Sequence, residues 1–386
     1  MECTREANAP WYFGRAALAL GALLVGCRAS DPLGLPAECA SGRTITIEFV
    51  APCLYGERAI TLADKDSSQR VFAAARQLLD SLSEDTAKVS ELSRALNDVT
   101  SFFSRQLLTD SARYHRMIDH VLVTMDDVRG TGITWINGRA APERTPFLIW
   151  VPYPNTGLFF QPVSSVQSVL YLGPNPWVSS DTLLQLGEQL YRYALWREAD
   201  GLSFPVWEYE FPFTSGGVSN SAPWRSALAQ AYAIILFAEN YRRTSDPKWK
   251  QRAYQVLNSL RVSWDDGGAL LPDTTHGYWW EEFNPIVRIW NGAAQVVMAV
   301  GFLWQDTGDP EVKRMFDRGV EAIKYNTWHY DTGSWTLYSR TQGYNTVGYH
   351  IGCYQILDQL YTLSGDVWFK NLADKWRAYT PPPGVR

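Results

Sequence analysis

AAQVVMAVGFLWQDTGDPEVKRMFDRGVEAIKYN, residues 293–326, decides the fold. The apolar run from Ala293 to Trp304 suits a buried helix, and Asp309-Pro310 then opens a second, amphipathic one. An aspartate at an N-cap accepts hydrogen bonds from otherwise unpaired N–H groups. Proline loses nothing at the next position, because the N–H it lacks would have had no partner there. The same punctuation recurs: Asp181, Asp246, Asp309 and Asp366 each read as a helix start, roughly 60 residues apart, and Asp246 is again followed by Pro247. A second apolar helix, Ala227 to Tyr241, precedes Asp246 as Ala293 to Trp304 precedes Asp309. The expected architecture is mainly α: an α/α toroid or open barrel of about four helical hairpins.

Residues 67–108 carry helical periodicity, with Val71, Ala74, Leu78, Leu79 and Leu82 on one face. From Tyr114 to Leu172 the pattern turns strand-like: HVLVTM, GITWING, PFLIWVPY and LFFQPV, broken by Gly, Pro and Asn. A small β-rich region therefore precedes the helical body. The expected organisation is a signal segment at 1–27, a linker and short β element at 28–66, a helical and β-rich stretch at 67–154, and the barrel at 155–380. The connections leaving the second helix of each hairpin, Ala199 to Phe213, Asp265 to Pro285 and Tyr330 to Arg340, should emerge at one end. Loops gathered on a rigid scaffold are where a site is built.

Composition narrows the partners. The net charge is -5, and no basic run exceeds a pair, which argues against nucleic acid. The 17 Trp, 20 Tyr and 16 Phe supply core volume, and such rings also stack on sugar faces. Five His in no ligand pattern give no metal site, and no cofactor motif is present. Arg5 and Arg15 precede an apolar run from Ala16 to Val25, too short to span a bilayer in the mature protein. Leu24-Val25-Gly26-Cys27 resembles a bacterial lipobox, which makes Cys27 the lipidated first residue of a protein anchored to the cell envelope. In that oxidising compartment Cys39 and Cys53, flanking the strand-like run Thr44 to Val50, suit a disulfide contributing about 3 kcal/mol. Cys353, amid apolar residues, reads as a buried thiol.

The chemistry concentrates in YDTGSWTLYSRTQGYNTVGYH, residues 330–350, which sets Tyr338 and Tyr349 around Arg340. A guanidinium beside a phenol stabilises phenolate and lowers a pKa that starts near 10, so a proton shuttle is one reading. Interhelical tyrosines more often pack with the hydroxyl on a carbonyl, and Glu281-Glu282 alone would pass for a solvated pair.

Four segments in order resemble the D-glucuronyl C5-epimerases: APWRSALAQAYA (222–233), WEEFNP (280–285) with Trp290-Asn291-Gly292, YDTGSWTLYSR (330–340), and Tyr349-His350. FFQPVSSVQ (159–167) is a weaker echo, and the similarity runs roughly from Leu158 to Tyr379. The resemblance implies catalytic roles for Tyr338, Tyr349 and Glu282. It implies substrate binding by Arg340, with His350, Tyr278, Asn291 and Arg225 as further contacts. The family usually has tyrosine where this chain has Phe283, and a tyrosine-rich segment where it has Phe159-Phe160-Gln161.

The implied reaction inverts C5 of a uronate within an acidic polysaccharide. It needs acid/base groups on opposite faces of the ring and a cation on the carboxylate. Glu282 as base, Tyr349 as donor and Tyr338 in support is the expected division. A lyase uses the same proton abstraction. A hydrolase would pair Glu282 with Asp273 or Glu208. A glycan-binding protein without catalysis would keep only the groove. The sequence leaves oligomeric state open, a dimer included.

Overall fold

The computed structural model describes residue 39 and residues 46–386, apart from positions 83, 109, 155, 172, 174 and 272–274. Cys27 and Asp273 lie outside the described residues. Four helices come first: α1 (Ile47–Gly56), α2 (Leu62–Ser81), α3 (Thr86–Ser104) and α4 (Ser111–Arg129). They share a core of their own around Leu92, Val99, Phe102, Tyr114 and Val121. Thr61 and Asp64 form a reciprocal capping box on α2, and Asp85 and Asp110 cap the next two helices.

Two strand expectations fail here. HVLVTM lies inside α4, and the run from Thr44 to Val50 enters α1 at Ile47. In α4, Asp110 accepts from Ala112 and Arg113, and Gly130 ends the helix in the left-handed region at φ 70°. Tyr114, Met117, Val121, Met125 and Val128 then share the buried face. Capped ends and a buried helical stripe outweigh a β-branched preference worth a few tenths of a kcal/mol per residue. Cys39 and Cys53 are joined in a disulfide, with Cα atoms 5.5 Å apart.

A four-stranded antiparallel sheet follows in sequential order: β1 (Ile133–Ile136), β2 (Arg139–Pro142), β3 (Trp150–Tyr153) and β4 (Gly157–Phe160). Asn137 and Gly138, both at positive φ, make the tight β1–β2 turn. The helical body starts with α5 (Pro162–Gln167) and α6 (Ser180–Arg192). Short antiparallel ribbons come next: β5 (Leu195–Ala199) pairs with β6 (Leu202–Val206), β7 (Glu208–Tyr209) with a later strand, and β8 (Phe213–Ser215) with β9 (Val218–Asn220). That later strand is β10 (Trp224–Arg225). The body continues through α7 (Ala227–Thr244), α8 (Pro247–Ser259), α9 (Trp290–Thr307), α10 (Pro310–Asn326), α11 (Val347–Ser364) and α12 (Val367–Arg377).

Three of the four hairpins follow the expected punctuation. Ser245, Gly308 and Gly365 turn the chain in the left-handed region, and Asp246, Asp309 and Asp366 then cap α8, α10 and α12 through their carboxylates. The first hairpin departs from the pattern. Its inner helix α5 has only six residues, and Ser179 caps α6, with Asp181 inside the first turn.

α7 and α9 form the middle of the inner layer. Every residue from Ala227 to Asn240 and from Trp290 to Gly301 is buried, because these helices meet neighbours on both sides and the outer helices behind. α11 packs on α9, with its buried residues Cys353, Ile356, Leu357 and Leu360 on one side. α5 and α11, the two ends of the inner layer, face each other across an open cavity. The body is therefore an open barrel. Eight tryptophans, Trp150, Trp207, Trp249, Trp279, Trp280, Trp290, Trp335 and Trp376, are fully buried, so nearly half of the 17 indoles are core. Ion pairs Arg113–Glu208 and Arg116–Glu210 tie α4 to the ribbon at β7. Among the described residues no helix is long and apolar enough to cross a membrane, and no group of His, Cys, Asp and Glu could hold a metal.

Candidate active site

The loop before α9 is shaped by one carboxylate. Glu281, fully buried, accepts hydrogen bonds from Trp279 Nε1 at 2.9 Å, Phe283 N at 3.2 Å and Ile289 N at 3.3 Å. Its backbone carbonyl also accepts from Ala227 N, fixing the loop to the start of α7. With Glu281 turned inward, the adjacent Glu282 faces the cavity and packs against Gly292 in the first turn of α9. A Cβ at Gly292 would overlap Glu282 Oε2, so the glycine is the space in which that carboxyl sits.

Glu282 Oε2 is buried and has no hydrogen-bond partner, and Asn291 Oδ1 beside it is likewise unpaired. Desolvation first, and the charge of Glu281 second, push the Glu282 carboxyl up to about 8. Desolvation also raises Glu281, to about 7, against the three donors that favour its ionised form. Glu281 with its donors is the better-supported anion of the pair, so Glu282 is the one that holds a proton at neutral pH.

The connection from α10 to α11 carries the phenols. Leu337 N bonds Tyr330 O, Tyr338 N bonds Gly343 O, and Arg340 N reaches Val287 O at 3.0 Å. Ser339 pairs with Ile289, so the loop is laced to the segment that carries Glu282. Tyr349 stands in the first turn of α11, whose cap Thr346 accepts from its N–H. The Tyr338 and Tyr349 rings meet edge to face at 5.1 Å. Burial, then the nearby Glu282, raise both phenols above the usual tyrosine value. This corrects the expectation that a cation lowers them. The Arg340 side chain is exposed and donates to Asn326 Oδ1 at 2.6 Å, and its charge acts on Tyr330 and His329 instead.

Glu282, Tyr338 and Tyr349 line a cavity of about 190 Å³ that runs against a second one of about 540 Å³, in which Glu282 and Tyr349 reappear with Asn291. The other residues expected to bind substrate are engaged elsewhere. His350 is buried between Thr336 Oγ1 at 2.8 Å and the Trp376 carbonyl at 2.9 Å, stacked on Trp335. Arg225 donates to the carbonyls of Gly268 and Trp264 and lies over the Trp264 ring. Tyr278 packs on Trp280 beneath the Arg318 guanidinium. These three are structural in this arrangement, and Glu208 is held by Arg113 and Arg197.

Sequence reasoning missed a wall of amides. Gln161 donates to the Tyr153 hydroxyl and accepts from Tyr209, each at 3.1 Å. Gln167 donates to Tyr232, which donates to Gln295 Oε1 at 2.7 Å. Gln161, Gln167 and Gln295 all face the larger cavity, together with Arg139 from β2. The one available signal was polar residues recurring at inner-helix positions that otherwise read as apolar. Phe283 lies 2% exposed against Trp224 and Phe213, where it forms the apolar floor beneath Tyr338.

Residues 200–378 match the family model for the D-glucuronyl C5-epimerase C-terminus, a narrower span than the 158–379 suggested by the motifs. An uncharacterized protein of Methanocaldococcus jannaschii is 28% identical over 183 residues, 46% of this chain and 58% of that protein. A D-glucuronyl C5-epimerase of Caenorhabditis elegans is 25% identical over 177 residues, 40% of this chain and 29% of that enzyme. The chain thus spans less than two thirds of either relative. Among solved structures, a GH76 alpha-mannanase of Bacteroides thetaiotaomicron aligns at 15% identity and a TM-score of 0.36, covering 52% of this chain and 54% of that one. The segment that carries Glu282, Tyr338 and Tyr349 is similar to the D-glucuronyl C5-epimerase C-terminus.

Proposed function

We propose that this protein is a polysaccharide uronate 5-epimerase. The observation that carries the reading is the meeting of Glu282, its Oε2 unpaired and its pKa raised to about 8, with two protonated phenols in one cavity. A carboxyl near 8 is poised as a base, since catalytic efficiency is greatest when the pKa lies near the working pH. Ionised Glu282 takes the C5 proton, and the electron pair of that C–H bond moves into the substrate carboxylate as an enolate. Tyr349 returns a proton to C5 from the other face and becomes phenolate. Tyr338, which interacts with both Glu282 and Tyr349, carries the proton back from the Glu282 carboxyl to that phenolate and resets the site. The proton count closes, and no cofactor is consumed.

A lyase would make the same abstraction and then expel the C4 substituent. The phenol arrangement favours reprotonation because the raised Tyr349 is a proton donor aimed into the same cavity. The test is incubation with a glucuronate-containing polysaccharide in deuterium oxide, read by NMR. Deuterium at C5 with new iduronate signals is the expected result, and Tyr338→Phe or Tyr349→Phe should each cut it by at least about a hundredfold. An unsaturated uronate product would assign a lyase, and new reducing ends without it a hydrolase. Binding without exchange would leave a glycan-binding protein. We place the enzyme at the bacterial cell envelope through acylation of Cys27, on the strength of its N-terminal sequence.

A further inference from the structure

A larger cavity lies beside the one that holds the acid/base groups. It measures about 670 Å³ and lies between α3 and the β8–β9 hairpin. It adjoins the Glu282 cavity at Tyr153 and Phe213, whose side chains line both. On the far side, the cavity of about 540 Å³ adjoins it at Glu282 and Tyr349. A small central chamber thus adjoins two larger ones through different residues, each roomier than the 190 Å³ that surrounds the reacting groups.

Each flanking chamber has its own cation. Arg105 at the end of α3 lines the first, where it donates to the Ala222 carbonyl at 2.5 Å and lies over the Phe102 ring. Arg139 at the head of β2 lines the other. Both are exposed, and among the described residues neither is paired with a carboxylate. In the first chamber Asp98 is engaged by His120 and Glu210 by Arg116, so its carboxylates already have basic partners and leave Arg105 without one. Phe213, 38% exposed, stands at the junction of the first chamber and the Glu282 cavity.

We infer that the three chambers form one cleft for a linear acidic polysaccharide, in which Arg105 and Arg139 grip uronate carboxylates of the units on either side of the one that reacts. This rests on the epimerase reading for the identity of the central unit. It adds that the two cations which grip the neighbouring units, Arg105 and Arg139, lie ahead of residues 200–378, the segment similar to the epimerases. Arginine suits the task because its fork pairs bidentately with a carboxylate and stays charged.

The test is calorimetric titration of the protein with a glucuronate/N-acetylglucosamine tetrasaccharide and decasaccharide. Wild type should bind the longer one at least about tenfold more tightly. Arg105→Glu and Arg139→Glu should each remove most of that gain, and Lys313→Glu on the outer helix α10 should not. Ser101→Trp, at an exposed position of α3 that fills the first chamber, provides the same test without a charge change. A gain that survives Arg105→Glu and Ser101→Trp, the absence of any gain, or no binding of either sugar would overturn the inference. Deuterium exchange at C5 reads the epimerase assignment separately. Length-dependent binding without exchange sinks that assignment and keeps the cleft, and exchange without length dependence does the reverse.

Discussion

At the scale of the residue, the site turns on two adjacent glutamates with opposite surroundings. Glu281 has three N–H donors, and Glu282 has none and an unpaired buried oxygen. Desolvation then raises Glu282 to about 8, so a mechanism in which it is the base requires the rate to climb as pH rises through about 8. Glu282→Gln should remove that limb and lower C5 exchange by at least about a hundredfold; a wild-type rate that falls over the same range would contradict the assignment. The sign for stability is the opposite. Between an unfolded value of about 4.3 and the raised folded values, the native state holds protons that the unfolded chain has released, so stability declines with rising pH. The motif WEEFNP pointed to a glutamate at this place in the chain. Which of the two faces the cavity depends on where Trp279, Phe283 and Ile289 present their N–H groups, and periodicity does not encode that.

At the scale of the element, the helix starts were legible because caps act locally. Asp246, Asp309 and Asp366 hydrogen-bond to the next turn whatever the tertiary context. The strand reading of HVLVTM failed for the complementary reason: five β-branched or apolar residues behind one histidine do not outweigh a capped helix with a core against its face. Gly292 separates propensity from function. Alanine favours a helix interior over glycine by about 1 kcal/mol, yet its Cβ would occupy the place of Glu282 Oε2. Gly292→Ala should therefore retain the circular-dichroism spectrum of wild type and lose most of the exchange activity. Retained activity would show that Glu282 is not fixed where the reaction needs it.

At the scale of the whole molecule, the N-terminal helices and the barrel have separate cores joined by buried charge. Arg113 and Glu208 are 5% and 8% exposed, so Arg113→Ala leaves a buried carboxylate with only Arg197 and should cost about 3 kcal/mol. Chemical denaturation would register this as a lower midpoint, and an unchanged midpoint would mean the pair contributes nothing to the fold. The envelope assignment is tested at the same scale. Cys27→Ala should abolish palmitate labelling and move the protein from the membrane fraction to the soluble one.

Local periodicity and motifs legible in one dimension set the hairpin repeat and three of its four capped helix starts, and singled out Glu282, Tyr338 and Tyr349, which share one cavity. The sequence also pointed to Arg340, His350, Tyr278 and Arg225, whose side chains are engaged outside the Glu282 cavity. An interhelical loop can aim adjacent side chains in opposite directions, and Arg340 turns to Asn326 while Tyr338, two residues earlier, faces the cavity. Packing decided which groups share a cavity, which carboxyl is left without a donor, and that Arg105 and Arg139 from the N-terminal part line the two cavities that adjoin the one around Glu282. Those outcomes are set by packing between elements far apart in sequence, where burial and unpaired polar atoms arise together.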